Sequence, residues 1–494
     1  MTGSLGRARE ALRSRDFRFL LASRLTSQLG DGFFQAFLIA RLVFLNPEEQ
    51  STAVGVAKAF AILVLPFSLI GPFAGVFIDR WSRRLILCAA PLARAVAAVA
   101  LLATAGGDAS VFALALVVLS INRFYLTTAG AVMPVLVPPA DLLVGNSMAT
   151  VGGTVLTFVG VVSGTKLAEG IGLGGLLGVS AGCWPLAALL ASRIAAPLRA
   201  VRPAGPVRTE LGRVARDLRA GLGRLRATPA ALGSIVSVSL DQFLVGFVTV
   251  VSVVVFKDQF RQGVGSYGNL LAAGGAGVLM GTLTVGWFEP RMAKPRIAAM
   301  AFALAGVVCL AVAPALAGPT ILLASFTLGL TFAWRKIPVD TIVQQSIPDR
   351  YRGRVFALYD LTYSTARVWA ALAAVPLIPR MSTGWLLAVT GLVYLAWAPV
   401  LPWWVRRPRW VRLRFYAGAK AEEVPRAVVI GGEEEPVEVL RSWHEDRSGI
   451  RLRRFDLRVQ DGTVLQVVGP EGEGRWRLER EHRQANRVTA EGGQ

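Results

Sequence analysis

Asp31 lies inside an apolar run over residues 17–44, and Arg123, beside Asn122, lies inside another over 110–135. A charge at the centre of a membrane-length segment is costly. Such residues are kept for ion pathways, proton relays or ligand recognition. If the two runs are helices crossing a bilayer in opposite directions, Asp31 and Arg123 sit at similar depth. The expected chemistry is an ion pair on a central cavity, altered when Asp31 gains a proton or a ligand binds. A fixed buried pair that sets helix packing is an equal alternative. Gln28 and Gln35 stand about a turn either side of Asp31, able to bond a ligand or neighbouring helices. Asp241 and Gln242 occupy a corresponding place in the second half of the chain. Arg94 and Arg335, also within apolar runs, could serve a cavity or balance an acid, and both readings stay open. Lys336 and Asp340 have the spacing of an intrahelical ion pair. Arg24 and Arg41 lie nearer the ends of their run, where snorkelling explains them. Phe33, Phe34, Phe37, Trp334, Tyr363 and Trp369 are aromatic candidates for a pocket taking a bulky amphipathic molecule.

A second constellation is Gly75-Val-Phe-Ile-Asp79-Arg80-Trp-Ser-Arg83-Arg84. An apolar run ends at Asp79, and the next begins at Leu85. So short a turn holds two membrane-length helices side by side. Gly75 allows another helix to approach closely. Asp79 can meet the partial positive charge of a helix N-terminus. Arg80, Arg83 and Arg84 mark the cytoplasmic side.

The elements that must position these residues are set by composition. The chain has 494 residues, of which 17% are charged, a net charge of +21 and a mean hydropathy of +0.51. The basic residues fall in short segments between apolar runs, which reads as membrane topology and attraction to anionic lipid headgroups rather than a nucleic-acid surface. Three cysteines, all inside apolar runs, and two histidines, both near the C-terminus, give no disulfide framework or metal site. No cofactor is expected. The absence of a phosphate-binding loop, an aspartate-rich diphosphate motif or an intramembrane His-Asp set argues against an ATP-driven pump and a membrane enzyme. Residues 1–18 lack the apolar core of a cleavable signal.

Twelve spans are expected, near 17–44, 52–78, 85–105, 110–135, 146–168, 173–196, 230–256, 266–288, 296–317, 320–346, 354–378 and 384–405. The basic loops fall on one side, placing both termini in the cytoplasm. This divides the chain into an N-terminal segment (1–16), a six-helix bundle (17–197), a basic linker (198–229), a second six-helix bundle (230–405) and a tail (406–494). Leu211, Val214, Leu218, Leu222 and Leu225 recur among the linker's arginines as in an amphipathic helix on the membrane surface. The tail alternates apolar and polar residues between glycine breaks, as in a small antiparallel β domain in the cytoplasm. The halves echo one another. The segment from Gly286 to Arg296 repeats the Gly75 turn in worn form, and Ile347–Arg354 matches Val137–Asn146. Duplicated halves place a ligand path between them.

The 6+6 layout, the basic central segment and the Gly75–Arg84 turn resemble the major facilitator superfamily. Leu29-Gly30-Asp31-Gly32, residues 142–146 and Gly353-Arg354-Val355-Phe356 resemble its branch of enterobactin and macrolide exporters. The resemblance covers roughly residues 16–405. It implies an all-α membrane protein of twelve transmembrane helices in two pseudo-symmetric bundles, with the β domain added. It implies a secondary transporter, not an enzyme, working by alternating access in the inner (plasma) membrane, exporting a hydrophobic or amphipathic small molecule as a monomer. Protons are the candidate coupling ion, although Thr165 and Lys166 stand where the antiporter motif has proline. Lysophospholipid movement, or a membrane anchor for the tail, are the alternatives. The resemblance also implies that Asp79 packs against the start of span eleven, at Gly353, Arg354 and Val355 with Asp360 further in, and locks the cytoplasmic gate.

Overall fold

The structure is a computed structural model describing residues 9–41, 81–103, 108–138, 141–198, 207–255, 264–288, 290–415, 424–430, 433–447, 450–460, 462–470 and 476–483. The helices are α1 (Arg15–Ile39), α2 (Arg83–Ala103), α3 (Asp108–Leu136), α4 (Leu142–Ser192), α5 (Val207–Arg226) and α6 (Pro229–Val254). They continue with α7 (Val264–Phe288), α8 (Lys294–Val312), α9 (Gly318–Ser346), α10 (Asp349–Leu377), α11 (Thr383–Trp397) and α12 (Val400–Val405). Among the described residues, seven helical stretches are long and apolar enough to cross a bilayer. Helices α1, α9 and α10 reach 25, 29 and 29 residues but also carry charges. Val96, Leu283, Leu323, Trp369 and Trp385 are exposed on these helices. Apolar outer faces of this kind suit lipid, not water.

The chain forms two compact units. The first comprises residues 1–214, 237–338 and 359–399. In it α1 runs along α4, and glycines set how close they come. A Cβ on Gly32 would sit 2.2 Å from the Thr157 carbonyl oxygen, and one on Gly160 would sit 2.5 Å from that of Leu29. Only hydrogen at both positions permits this crossing. Helix α4 is 51 residues long but breaks at Gly172, whose φ of 67° and ψ of −178° suit glycine and few other residues. The break falls between the apolar runs expected at 146–168 and 173–196.

The second unit comprises residues 215–236, 339–358 and 400–494. Its six strands, β1 (Arg409–Phe415), β2 (Pro425–Ile430), β3 (Glu433–Arg447), β4 (Ile450–Val459), β5 (Thr463–Pro470) and β6 (Trp476–Arg483), form a closed barrel in sequence order. Every pairing is antiparallel, including β1 with β6. Alternation with period two sends Val411 and Leu413, Phe455, Leu457 and Val459, and Leu465 and Val467 into one core. Trp476 closes it, 5.3 Å from the Phe455 ring. Closure leaves no free edge to aggregate. Around the barrel, Tyr351 donates to Glu435 at 3.2 Å and Arg224 stacks 5.5 Å from the Tyr351 ring. In α5, Leu225 is buried while Arg216, Arg219 and Arg226 are exposed, so its described part is amphipathic.

Candidate functional site

Two buried ion pairs and one cavity, all in the first unit, make up the candidate site. In the first pair, α1 presents Asp31 and α2 presents Arg94, 5% and 0% exposed. Arg94 Nη1 lies 2.6 Å from Asp31 Oδ1 and 2.9 Å from Asn122 Oδ1, while its Nη2 donates to Ser27 at 2.7 Å. Trp184 Nε1 donates to the same Asp31 oxygen at 3.0 Å. The guanidinium is stacked 5.2 Å from the Tyr125 ring and 5.0 Å from Trp184. This buried guanidinium is met by a carboxylate, two neutral acceptors and two ring faces, and only its Nε has no hydrogen-bond partner among the described residues.

The partner expected for Asp31 was Arg123; the structure supplies Arg94. Asn122 faces the pair, and its neighbour Arg123 is turned about 100° around α3. Arg123 is half-buried, as are Gln35 and Gln28, the last accepting from Arg24 at 3.3 Å.

The second pair joins Asp241 on α6 to Arg335 on α9, at 2.7 Å, with both side chains at most 1% exposed. Tyr394 on α11 donates to Asp241 at 3.2 Å, and Arg335 donates to the Ala301 carbonyl at 3.2 Å. Arg335 stacks 5.0 Å from the Tyr394 ring and 5.4 Å from Phe302. Gln242 donates to Asp241 at 3.5 Å and accepts from Arg367 Nε at 2.7 Å.

Arg367 and Tyr394 line a cavity of about 690 Å³ walled by α4 and α6 to α11, a size usual for a small-molecule site. Its rim includes Phe158 of α4, which packs over Gly275 of α7. None of Asp31, Arg123, Gln28, Gln35, Asn122, Asp241 and Arg335 lines this cavity, against the expectation that they face it; Asp241 reaches it only through Tyr394 and Gln242. Of the aromatic candidates, only Tyr363 lines it. Phe33, Phe34 and Phe37 are core residues, Trp334 bonds Thr284 at 3.0 Å, and Trp369 faces outward.

Arg367 escaped the reading of the sequence, although a charge inside the run 354–378 is the same signal that singled out Asp31. Arg94 was legible as a charge within an apolar run but not as the partner of Asp31, and Trp184 is absent from the aromatic candidates.

The sequence model of the Major Facilitator Superfamily matches residues 20–371. The chain belongs to the Major Facilitator Superfamily. It is similar to proteins described as uncharacterized MFS-type transporters in Mycobacterium bovis and Mycobacterium tuberculosis. Each is 30% identical over 396 residues, 77% of this chain and 89% of the relative. Among solved structures it is similar to an auto-inhibited POT family peptide transporter. The TM-score is 0.58 at 11% identity, over 82% of this chain and 98% of that one. It is also similar to the POT family transporter PepTSo, with a TM-score of 0.54 at 13% identity over 80% and 98% of the two chains. A third likeness is to a bacterial metal transporter, with a TM-score of 0.53 at 18% identity over 80% and 99%. Identities this low speak for the fold alone. As a member of the superfamily, the chain is a multi-pass membrane transporter.

Of the superfamily's turn motif, Gly75, Asp79 and Arg80 lie outside the described residues. Arg83 and Arg84 donate to backbone carbonyls, Arg83 to Ala131 at 3.1 Å and Arg84 to Ile194 just past the end of α4. A guanidinium there meets the partial negative charge of a helix C-terminus. Arg354 pairs with Asp217 at 3.0 Å and stacks 5.7 Å from Tyr351. A Cβ on Gly353 would meet nothing within 4 Å, and Asp360 is exposed.

Proposed function

We propose that this chain is a secondary active transporter that exports a hydrophobic or amphipathic small molecule by alternating access. Its two six-helix halves would rock about a site near the membrane midplane. The observation that carries this reading is the 690 Å³ cavity, with walls from both halves of the sequence and a hydrogen-bonded route to a buried carboxylate. Coupling runs through Asp241: a ligand that engages Arg367 pulls on Gln242 and, through it, on the Asp241–Arg335 pair. Asp31 with Arg94 serves as a fixed brace. Gln28, Gln35, Asn122 and Arg123 shape the surroundings of that brace.

In the same reading, Asp79 locks the cytoplasmic gate against the start of α10, with Gly75, Arg80, Gly353, Arg354 and Asp360 completing the lock. The protein works as a monomer in the plasma membrane. Both termini, the basic linker and the β barrel lie in the cytoplasm, with the linker held to anionic lipid.

The test is flux of radiolabelled amphipathic compounds, cationic, neutral and anionic, into proteoliposomes holding the full chain, with and without a pH gradient. Accumulation of at least one class above protein-free vesicles, enhanced by the gradient, is expected. Fluxes equal to protein-free vesicles for every compound would refute the proposal.

A further inference from the structure

We infer that the cavity is built for a single-tailed amphiphile with one anionic headgroup, and that Arg367 holds that headgroup. The inference rests on the transport reading for what happens to the molecule afterwards, but not for its binding.

Arg367 is the only residue with a formal charge among the described lining residues. Its Nε is committed to Gln242 at 2.7 Å, and its guanidinium lies 5.8 Å from the Tyr363 ring. These contacts fix the plane of the group while leaving the terminal nitrogens for a ligand. A guanidinium offered this way is the donor set for a carboxylate or phosphate. Lys336 lies 5.2 Å from the same Tyr363 ring and donates to the Tyr359 hydroxyl at 2.7 Å. Arg335, behind Tyr394, is offset by Asp241.

Four of the remaining polar groups of the wall already spend their hydroxyl protons inside the protein. Thr249 donates to the Val245 carbonyl at 2.7 Å, Ser252 to that of Thr249 at 2.7 Å, and Ser325 to that of Leu270 at 2.8 Å. Tyr394 donates to Asp241. A sugar or peptide needs many donors and acceptors, and this wall has few to offer. No carboxylate lies among the described lining residues to pair with a cation, which Arg367 would repel. What the wall does offer is apolar surface, from residues such as Val248, Val251, Leu271, Leu279 and Phe332. Such surface rewards an alkyl chain and repels bare charge.

The experiment measures saturable binding of tritiated decyl phosphate and decanoate to the full-length protein in lipid nanodiscs, subtracting empty nanodiscs. Decyltrimethylammonium and decyl glucoside serve as competitors. At least one anion should bind about 10–100-fold more tightly than the cation, the range of one charged hydrogen bond. Whichever anion wins assigns the headgroup as phosphate or carboxylate. Each methylene added to the tail should tighten binding about fourfold until the wall is filled. Arg367→Gln should abolish the anion preference while leaving decyl glucoside competition within about twofold, and Arg367→Lys should retain part of it. Equal affinity for anion and cation in the unaltered protein overturns the inference without any variant. So does an Arg367→Gln protein that keeps its gel-filtration profile and the anion preference. Anion binding without flux would leave this assignment standing and refute transport. Flux of cations alone would do the reverse.

Discussion

Asp31 and Asp241 sit in two versions of one arrangement. In each, a buried carboxylate, on α1 or α6, meets a fully buried arginine stacked on aromatic rings. In each, an aromatic donor later in the chain, Trp184 or Tyr394, bonds the same carboxylate. The environments diverge at the next contact. Around Asp31, Asn122 and Ser27 close the shell on Arg94, and no member lines the cavity. Around Asp241, the aromatic donor itself lines the cavity, and Gln242 passes a bond to Arg367, which also lines it. The lesson is that a buried ion pair does not declare its role. Whether it is a brace or a sensor depends on where its last hydrogen-bond partner points.

The strongest perturbation should come from unbalancing the closed pair. Asp31→Leu strands the Arg94 charge among neutral acceptors and should cost about 3–5 kcal/mol. Asp31→Leu combined with Arg94→Met should recover most of that loss. Thermal unfolding of the purified proteins in detergent reads both, and a loss below about 1 kcal/mol would mean that the first site is open to water. A smaller effect separates the two aromatic donors. Trp184→Phe and Tyr394→Phe each delete one bond to a carboxylate, about 1.5–3 kcal/mol. Only Tyr394→Phe should also change decyl phosphate affinity, and equal affinities in the two variants would erase the distinction. The smallest effect calibrates the scale. Arg354 and Asp217 form a third pair with side chains 38% and 42% exposed. Screening by solvent should hold the cost of Arg354→Ala to about 0–1 kcal/mol. A loss comparable to that of Asp31→Leu would show that burial is not what sets the others apart.

How much of this could be read from the residues depends on which geometry each signal encodes. Depth along a helix follows from counting, so Asp31 and the residue pair Asn122–Arg123 were placed at one level. Azimuth does not follow from counting, and the contact fell to Asn122 with Arg94, one residue and one helix away from the expected partner. The barrel strands were legible because period-two alternation and glycine breaks are local. Closure between β1 and β6 depends on residues far apart in sequence and left no local trace. The kink in α4 was visible as a gap between apolar runs, with Gly172 supplying the backbone angle. Arg367 carried a visible signal, but the cavity that gives it meaning exists only when seven helices assemble.

The most direct measurement is gradient-driven decyl phosphate flux in proteoliposomes, comparing Asp31→Asn with Asp241→Asn, each checked for folding by gel filtration. The account predicts that folded Asp31→Asn keeps the flux of the unaltered protein, while Asp241→Asn falls about tenfold or more, the scale of one charged hydrogen bond. A flux that survives in Asp241→Asn and vanishes in Asp31→Asn would contradict it.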